Sequence, residues 1–549
     1  MIRDLWYKNA IVYSLDLESF MDSNGDGVGD FQGLMNRLDH LEALGVDVLW
    51  LAPFQPSPNR DNGYDISDYY GVDPRHGSSG DFVEFVHNAK KRGFKVILDL
   101  VINHTSKDHR WFQDARRGGR HRDWYIWSKK RPSNWDEGMV FPGVQKATWT
   151  RDPVAGEYYF HRFFDHQPDL NIANPEVREE IRRIIGYWLE VGADGFRVDA
   201  VPFIIEHPDP KNPERKPRMD FGYLEELRSF VQWRLGEGIL LGEANVLPRE
   251  TARYFREGRG IHMMFNFWVN QHLFYAFASK DVRPLRKSLE ATRELPPTSQ
   301  WATFLRNHDE LDLGRLTEEQ RELVFARFGS EESMQLYDRG IRRRLAPMLG
   351  SRAEMELAHS VLFALPGTPV LRYGDEIGMG DDLDLPEREA VRTPMQWSDA
   401  PNGGFSESEK PVHPLISEGP FGFQHLNVAK QKRDPDSFMS WMSRMIRMRK
   451  ECPEIGWGDW ELLATRSRHL LVLRYEWNGG AVLTIHNFDE HPHELKLTIP
   501  ALLHNLLNEF DSRPDSSGCH TLAIGAYGYC WYRIVEEKEP VKTTKKRKR

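Results

Sequence analysis

The sequence alternates short apolar runs, typical of buried strands, with segments of helical periodicity, and this alternation constrains the fold more than any other feature. We expect strands at residues 10–17, 46–52, 95–101, 195–199, 239–243, 262–267, 301–306 and 368–372. Strands that alternate with helices pair in parallel, and eight of them predict a closed (β/α)₈ barrel, the TIM barrel of α/β proteins.

The segment before the fourth strand shows how the helices are specified. In NPEVREEIRRIIGYWLEVGADGF, Asn174 can cap the helix, Pro175 suits its first turn and Gly192 ends it. Its apolar positions recur on one helical face: Val177, Ile181, Ile184, Trp188 and Leu189. A second helical pattern covers residues 223–233, so helices flank the fourth predicted strand on both sides.

Polar and charged side chains follow several of these strands at the point where each ends. The third strand ends in DLVINHTS, the fourth in GFRVDAV, the fifth in LLGEAN and the seventh in FLRNHDE. Because functional residues of a TIM barrel lie at the carboxyl ends of its strands, we expect one rim to hold Asn103, His104, Arg197, Asp199, Glu243, His308 and Asp309. Crowding three carboxylates is costly unless a ligand or a raised pKa relieves the repulsion.

Such carboxylates suit glycoside cleavage with retention, in which one attacks the anomeric carbon while a second, about 5 Å away, protonates the leaving oxygen. We assign Asp199 as the nucleophile, because Arg197 lies on the same strand face and can keep it ionised. Glu243 is then the acid/base, and Asp309 with His308 holds sugar hydroxyls. The alternative is a buried salt-bridge network around Arg197 without catalysis.

The stretch MDSNGDGVGDF at residues 21–31 places oxygen ligands at alternate positions, as the first half of a calcium loop does. It departs from the EF-hand, because Gly33 stands where a bidentate glutamate is needed and a strand precedes the loop. We therefore expect a structural Ca²⁺ site outside an EF-hand, with ligands from Asp22, Asn24, Asp26, Asp30 and the carbonyl of Val28. A merely polar turn is the alternative.

Composition and charge exclude several other classes of protein. The 549 residues contain no apolar run long enough to span a membrane, and the start MIRDLWYKNA lacks the hydrophobic stretch of a signal peptide, so we expect a soluble, cytoplasmic protein with no membrane partner. The net charge of −9 argues against nucleic acid as a partner. Cys452, Cys519 and Cys530 are too scattered for a disulfide framework or a zinc site. A homo-oligomer stays open.

The four strand-end segments resemble the four signature regions of the α-amylase superfamily, glycoside hydrolase family 13, and the resemblance covers nearly the whole chain. It implies Asp199 as nucleophile, Glu243 as proton donor and Asp309 as transition-state stabiliser. It further implies that the first sugar subsite is supported by His104, Arg197 and His308.

Other segments resemble one branch of that superfamily. DNGYDISDYYGVDPRHG and VRTPMQW are similar to the α-glucosidase and trehalose synthase branch, which implies that Asp61, Tyr64 and Arg392 close the pocket beyond the first glucose. The loop at 21–31 is similar to the calcium loop of the same branch. The resemblance implies no organic cofactor.

Within the branch, PFQPSP, HRFFDHQPDLN, RNHDEL, IRRRLAPML and LPGTPVLRYGDEIGMGD look most like the trehalose synthase subfamily. This implies an α-glucoside substrate, maltose or trehalose, and interconversion of the two through a covalent glucosyl-enzyme. Strand one (VYSLDLESF) and the loop EHPDPKNPERKPRMDFG differ from that subfamily, so hydrolysis and transfer to another acceptor stay open. An endo-acting amylase and a catalytically inactive binding protein are further alternatives, disfavoured by the closed pocket and the intact carboxylate trio.

The resemblance also implies a domain organisation and a second metal site. Residues 1–104 and 170–456 are expected to form the catalytic barrel, 105–169 an inserted domain B after strand three, 457–536 a C-terminal antiparallel β-sandwich, and 537–549 a disordered basic tail. The second site is implied at Asn103, Asp169 and Glu206, with the carbonyls of Phe203 and Ile204.

Overall fold

The computed structural model describes residues 3–207 and 215–536. Its centre is a closed barrel of eight parallel strands, which confirms the predicted fold. The strands are β1 Val12–Leu15, β2 Val48–Leu51, β3 Lys95–Leu100, β4 Gly195–Val198, β5 Ile239–Gly242, β6 Met263–Phe265, β7 Gln300–Phe304 and β8 Thr368–Arg372. Neighbours follow chain order around the barrel, and β1 pairs with β8 to close it. Several predicted strands were too long, because apolar residues beyond the ladder pack in the connections.

Helices cover the outside of the barrel and fill several connections. Their bounds are α1 Phe31–Asn36, α2 Leu38–Leu44, α3 Ser79–Lys91, α4 Arg110–Ala115, α5 Pro175–Val191, α6 Val201–Ile204, α7 Gly222–Arg234, α8 Pro248–Phe255, α9 Phe267–Ser279, α10 Arg283–Ala291, α11 Glu318–Phe328, α12 Leu345–Leu349, α13 Arg352–Ala364, α14 Val428–Arg433, α15 Phe438–Lys450 and α16 Pro453–Trp457. The caps of α5 are those that the sequence predicts: the Asn174 side chain accepts the N–H of Glu176, and Gly192 has φ +123°.

Trp188 anchors α5 against the rest of the barrel domain. It is 2% exposed, and its indole N–H donates to the carbonyl of Tyr69 at 2.9 Å. Its ring meets Phe54 and Phe82 edge-on, with centroids 5.3 and 5.2 Å away. The helix therefore buries an aromatic side chain whose polar atom is also satisfied.

Between β3 and β4 lies an insertion with its own small antiparallel sheet, formed by Trp127–Ser128, Tyr158–Phe160 and Trp149–Arg151. It returns to the barrel beside the end of β3, where Leu170 N–H donates to the carbonyl of Asn103 at 2.8 Å. The connections after β4 and β7 add short antiparallel pairings, Glu206–His207 with Arg218–Met219, and Gly340–Ile341 with Leu311–Asp312 and Gln335–Leu336. These segments all approach the carboxyl ends of the barrel strands.

The C-terminal strands form two packed antiparallel sheets, as expected for a β-sandwich. They are β9 Asp459–Leu462, β10 Leu470–Trp477, β11 Gly480–Asn487, β12 His493–Thr498, β13 Leu502–Asn505, β14 Cys519–Ile524 and β15 Tyr529–Val535. One sheet has the order β9-β10-β11-β15-β13 and the other pairs β12 with β14. Apolar side chains from both sheets share one core, for example Leu483 and Leu522.

Three further expectations concern the chain as a whole. The basic tail predicted at 537–549 lies outside the described residues. Within 3–207 and 215–536, no helix has the length and hydropathy needed to cross a membrane. The three cysteines, Cys452, Cys519 and Cys530, are free thiols, as the sequence predicts.

Replacing Trp188 by alanine should destabilise the protein by about 3–5 kcal/mol, because it empties a buried aromatic site and leaves the Tyr69 carbonyl without its donor. Thermal unfolding should show a clearly lower midpoint. Trp233, which is 77% exposed on α7, provides the matched control, and Trp233→Ala should change stability by no more than about 0.5 kcal/mol. Equal midpoints for the two variants would contradict this account of α5.

Candidate active site

A single buried guanidinium gathers three carboxylates at the carboxyl end of the barrel. Arg197 on β4 is 1% exposed. Its Nη1 lies 2.6 Å from Asp99 Oδ1 and 2.6 Å from Asp199 Oδ1, and its Nη2 lies 2.9 Å from Glu243 Oε2. Two nitrogens of one planar group thus hold the predicted nucleophile and the predicted acid/base side by side.

Asp99 is a member of this cluster that the sequence reasoning missed. It lies on β3, and its Oδ2 accepts the indole N–H of Trp50 at 3.0 Å and the hydroxyl of Tyr64 at 3.2 Å. These contacts satisfy the carboxylate on the side away from Arg197. A signal was present in the sequence, because a lone acid inside the apolar run VILDLVI needs a buried partner.

Asp309, which follows β7, lies among cationic side chains. Its Oδ1 accepts hydrogen bonds from Arg388 Nη1 at 2.9 Å and from Arg392 Nη2 at 3.2 Å. Its Oδ2 lies 3.1 Å from His308 Nε2. Arg392 also donates to the backbone carbonyl of His308 at 2.9 Å, so it fixes this turn as well as the carboxylate.

Arg388, which the sequence analysis did not single out, is the partner of Asp61. Arg388 Nη2 donates to Asp61 Oδ1 at 2.7 Å, and Gln167 Nε2 donates to Asp61 Oδ2 at 2.9 Å. The preceding residue, Glu387, has φ +42°, a left-handed conformation that a residue with a side chain adopts at a cost. The sequence offered a signal that was not used, because Arg388 stands only four residues before the predicted Arg392.

Tyr64 and two histidines form a neutral wall of the site. The rings of Tyr64 and His308 stack with centroids 5.6 Å apart, and the hydroxyl lies 2.9 Å from His308 Nε2. His104 Nε2 lies 3.1 Å from the backbone carbonyl of Tyr64. Burial lowers the pKa of His104 to about 4, so near neutral pH it is an uncharged hydrogen-bonding group.

The turn after the nucleophile is strained and points its amide at the acid/base. Ala200 has φ +50°, although it carries a side chain. Its N–H donates to Glu243 Oε2 at 3.2 Å. Strain held in this way fixes the position of the Glu243 carboxyl relative to Asp199.

The three carboxyl groups titrate differently although they are neighbours. Burial raises the pKa of Asp199 to about 6, against the opposing charge of Arg197. Burial also raises the pKa of Glu243 to about 7; Arg197 opposes this, and the charges of Asp199 and Asp309 add to it. Burial opposes ionisation of Asp309 too, but its contact with His308 and the charges of Arg388 and Arg392 hold its pKa well below the usual range. Asp309 therefore stays ionised, whereas Glu243 can carry a proton.

These residues line a cavity of about 590 Å³. The insertion contributes Met139, Phe141, Arg162 and Phe163 to its wall, and the segment after β4 contributes Phe203. Phe141 packs on Tyr337 with centroids 4.8 Å apart, and Arg339 donates to the carbonyl of Val140 at 2.8 Å. The insertion is thus fastened across the pocket to the connection after β7.

The predicted calcium loop is held in shape by its own aspartates. Asp22 accepts the N–H groups of Asn24, Gly25 and Gly27 at 2.8–3.0 Å, and Asp30 accepts that of Ser23 at 2.9 Å. The carboxylate, amide and carbonyl oxygens are those that Ca²⁺ prefers. Among the described residues, however, groups of three carboxylate, imidazole or thiol ligands within 4.8 Å occur around Asp489 and not in this loop. The loop therefore has the donor chemistry without a converged set of carboxylates.

The second predicted metal site contains a buried carboxyl group, that of Asp169, and few neighbouring groups offset the cost of burying its charge. Burial raises the pKa of Asp169 to about 7, although the amide of Arg162 and the side chain of Asn103 donate to it; the nearby charge of Glu206 adds to the rise. Arg162 Nη2 lies 2.5 Å from Glu206 Oε2 and occupies that carboxylate. The remaining predicted ligands, the carbonyls of Phe203 and Ile204, belong to α6. A divalent cation would balance the negative charge of ionised Asp169. It would compete with Arg162 for the carboxylate of Glu206.

Comparison with known proteins agrees with this geometry. The family described as "Alpha amylase, catalytic domain" matches residues 15–341 and 342–458. The chain belongs to the α-amylase family, glycoside hydrolase family 13, which is a family of carbohydrate-active enzymes. Within it the chain is trehalose synthase-like, because several trehalose synthases resemble it over nearly its full length.

Three relatives illustrate the extent of the similarity. A trehalose synthase of Thermus thermophilus is 42% identical over 541 residues, which are 96% of this chain and 56% of the relative, so the chain spans little more than half of that protein. A trehalose synthase/amylase of Mycolicibacterium smegmatis is 37% identical over 97% of this chain and 94% of its own. The solved trehalose-6-phosphate hydrolase of Bacillus licheniformis is 28% identical, with a TM-score of 0.78, covering 97% of this chain and all of the other.

The titration of the site predicts a bell-shaped pH dependence of kcat/KM, with a maximum between about pH 6 and 7. Below that range activity falls because Asp199 gains a proton, and above it activity falls because Glu243 loses one. Initial rates across pH give the profile. The pair can titrate as a unit, so the two limbs are assigned by the following control.

The control uses an aryl α-glucoside whose leaving group needs no proton. For the variant Glu243→Gln, the pH profile of kcat/KM with this substrate should show an acid limb and no alkaline limb, because only Asp199 still titrates. An alkaline limb that persists in the variant would show that Glu243 is not the group with the higher pKa.

Proposed function

We propose that this protein interconverts maltose and trehalose by transferring a glucosyl group through a covalent enzyme intermediate. The observation that carries the proposal is the placement of Asp199 and Glu243 on two nitrogens of Arg197, with both carboxyl groups lining one pocket. The similarity to trehalose synthases over almost the whole chain supports this substrate class.

In the first step Asp199 attacks the anomeric carbon of the non-reducing glucose, and the bond to O4 of the second glucose breaks. Glu243 gives its proton to that departing oxygen. The raised pKa of Glu243 supports this role, because the group still carries a proton when Asp199 has lost its own. The positive charge that develops on the sugar ring is stabilised by ionised Asp309.

In the second step the released glucose turns within the pocket and presents its anomeric hydroxyl. Glu243, now a carboxylate, takes the proton of that hydroxyl while the oxygen attacks the glucosyl-enzyme and frees Asp199. Two inversions give overall retention at the carbon of the transferred glucose, and the product is trehalose when the acceptor presents the hydroxyl of its α-anomer. No atom is gained or lost between maltose and trehalose.

The remaining polar groups are suited to holding the first glucose. Tyr64, His104 and His308 offer uncharged hydrogen-bonding groups around the nucleophile. Asp61 and Arg388 form an ion pair that lines the same cavity, and Arg392 fixes Asp309. We propose that the Asp61–Arg388 pair ends the pocket beyond this glucose, which favours a terminal sugar over the middle of a chain.

The balance between isomerisation and hydrolysis depends on how well water is excluded. Water at about 55 M and one retained glucose compete to react with the glucosyl-enzyme. Transfer to glucose is faster only if its effective concentration in the pocket is high. The insertion crosses the pocket through Phe141 and Val140, which favours retention of the glucose. Part of the predicted covering loop after β4, residues 208–214, lies outside the described residues.

Calcium binding is common in this family, and we propose Ca²⁺ as a structural ion of the 21–31 loop. The ligands would be Asp22, Asn24, Asp26, Asp30 and the carbonyl of Val28. The loop lies between β1 and α1, and none of its residues is among those that line the catalytic cavity. A second cation beside Asn103 and Asp169 would offset the cost of burying the charged Asp169 carboxylate.

Incubated with maltose, the enzyme should form trehalose faster than free glucose, because the acceptor is held beside the intermediate. Chromatography of early time points gives the ratio of the two products. Asp199→Asn is the control and should form neither, since it removes the nucleophile at nearly constant volume. If glucose is the main product from both maltose and trehalose, the protein is an α-glucosidase and not an isomerase, and the same catalytic trio would keep its roles.

Removing calcium with a chelator should lower the thermal midpoint, because an ion bound only by the folded state stabilises that state. Asp26→Ala should lower the midpoint in calcium and abolish its response to the chelator. The exposed Asp399, which lies outside the loop, gives the control variant Asp399→Ala, and this should keep the wild-type response. If Asp26→Ala responds to calcium as the wild type does, the ion is bound elsewhere.

A further inference from the structure

Two histidines and an aspartate converge at the edge of the C-terminal sandwich, far along the chain from the catalytic residues. The ligand atoms of His469, Asp489 and His493 all lie within 4.8 Å of one another. His493 Nε2 is 2.9 Å from Asp489 Oδ2, and His469 Nε2 is 3.9 Å from the same oxygen. The two imidazole rings stack with centroids 4.9 Å apart.

The three side chains come from fixed points of the sheets. His469 immediately precedes β10, Asp489 follows β11 and His493 begins β12. Asn487 holds the turn between the last two, because its side chain accepts the N–H of Asp489 at 3.0 Å and donates to the carbonyl of His491 at 2.8 Å. The cluster therefore does not depend on a loose loop.

A contact with the barrel domain sets the tautomer of His469. Its Nδ1 lies 2.6 Å from the backbone carbonyl of Lys280, at the end of α9. A carbonyl can only accept, so Nδ1 carries the proton and the lone pair of the neutral ring is on Nε2, the atom that faces Asp489. Histidine ligands of metal ions are commonly oriented in this way, by a carbonyl that holds the other ring nitrogen.

The charges around the cluster are mixed. Lys280 Nζ is 3.8 Å from Asp489 and 2.9 Å from Glu490, and Arg468 Nε is 3.3 Å from His469 Nε2. Arg468 is exposed, so its side chain can turn into solvent and leave the lone pair of His469 Nε2 free to bind a metal ion.

We propose that His469, Asp489 and His493 bind a divalent transition-metal ion, with Zn²⁺ as the chemically favoured species. Two imidazole nitrogens and one carboxylate oxygen form a ligand set that zinc accepts, with water or the exposed His491 in the fourth position. The ion takes the place of the hydrogen bond between His493 Nε2 and Asp489, and the neutral His493 ring then carries its one proton on Nδ1. The site ties the sandwich to the end of α9 and takes no part in catalysis.

Equilibrium dialysis of the tag-free, full-length protein against ZnCl₂ at neutral pH, followed by metal analysis, tests the proposal. The wild type should retain one zinc per chain that is lost in the double variant His469→Asn/His493→Asn. The matched control is His504→Asn, because His504 forms a simple exposed pair with Asp511 at 2.9 Å and has no second histidine. The single variant His493→Gln should weaken binding about tenfold or more.

A second readout separates loss of the site from loss of the fold. Zinc should raise the thermal midpoint of the wild type and of His504→Asn, but not that of the double variant or of His493→Gln. Catalytic activity should be the same in all four proteins, which shows that they are folded. Equal zinc retention by the wild type and His493→Gln, or no retained zinc in the wild type, would overturn the proposal and leave Asp489 as the centre of an ordinary ion-pair network.

Discussion

The structure of the site depends on the burial of one guanidinium. Arg197 has almost no contact with solvent and would be costly to bury alone, but Asp99, Asp199 and Glu243 surround it with charge-assisted hydrogen bonds. These carboxylates come from or directly follow β3, β4 and β5, so the ion cluster also fixes three neighbouring strand ends relative to one another. Lysine could not replace it, because a single ammonium lacks the planar fork that addresses separate carboxylates.

A second cation links the closure of the pocket to its chemistry. Arg388 contacts Asp61 with one nitrogen and Asp309 with the other, so the group that we propose ends the pocket also stabilises the charge of a proposed catalytic carboxylate. The backbone is strained at Glu387, which precedes Arg388, and at Ala200, whose N–H donates to Glu243. Both positions hold a functional side chain or amide at a defined place, which is where backbone strain is usually retained.

The C-terminal sandwich is joined to the barrel domain by buried polar contacts as well as by apolar packing. Ser360 on α13 lies 3.0 Å from His486 Nε2 and accepts the indole N–H of Trp531 at 3.0 Å. Breaking this contact would leave polar atoms unsatisfied in the core. The contact of His469 Nδ1 with the carbonyl of Lys280 is a separate connection, at the end of α9, between the same two parts of the chain.

The sequence by itself determined the barrel, because the alternation of strand and helix patterns leaves few other topologies, and it placed Asp199, Glu243 and Asp309 at strand ends that must share a rim. It could not show that Asp99 completes the cluster or that Arg388 joins Asp61 to Asp309. The local pattern of apolar and polar residues specifies where a strand or helix begins and ends to within a few residues. Which side chains meet across the pocket depends on barrel closure, on the strained turn before Arg388 and on burial, and these arise only when residues distant in sequence pack together.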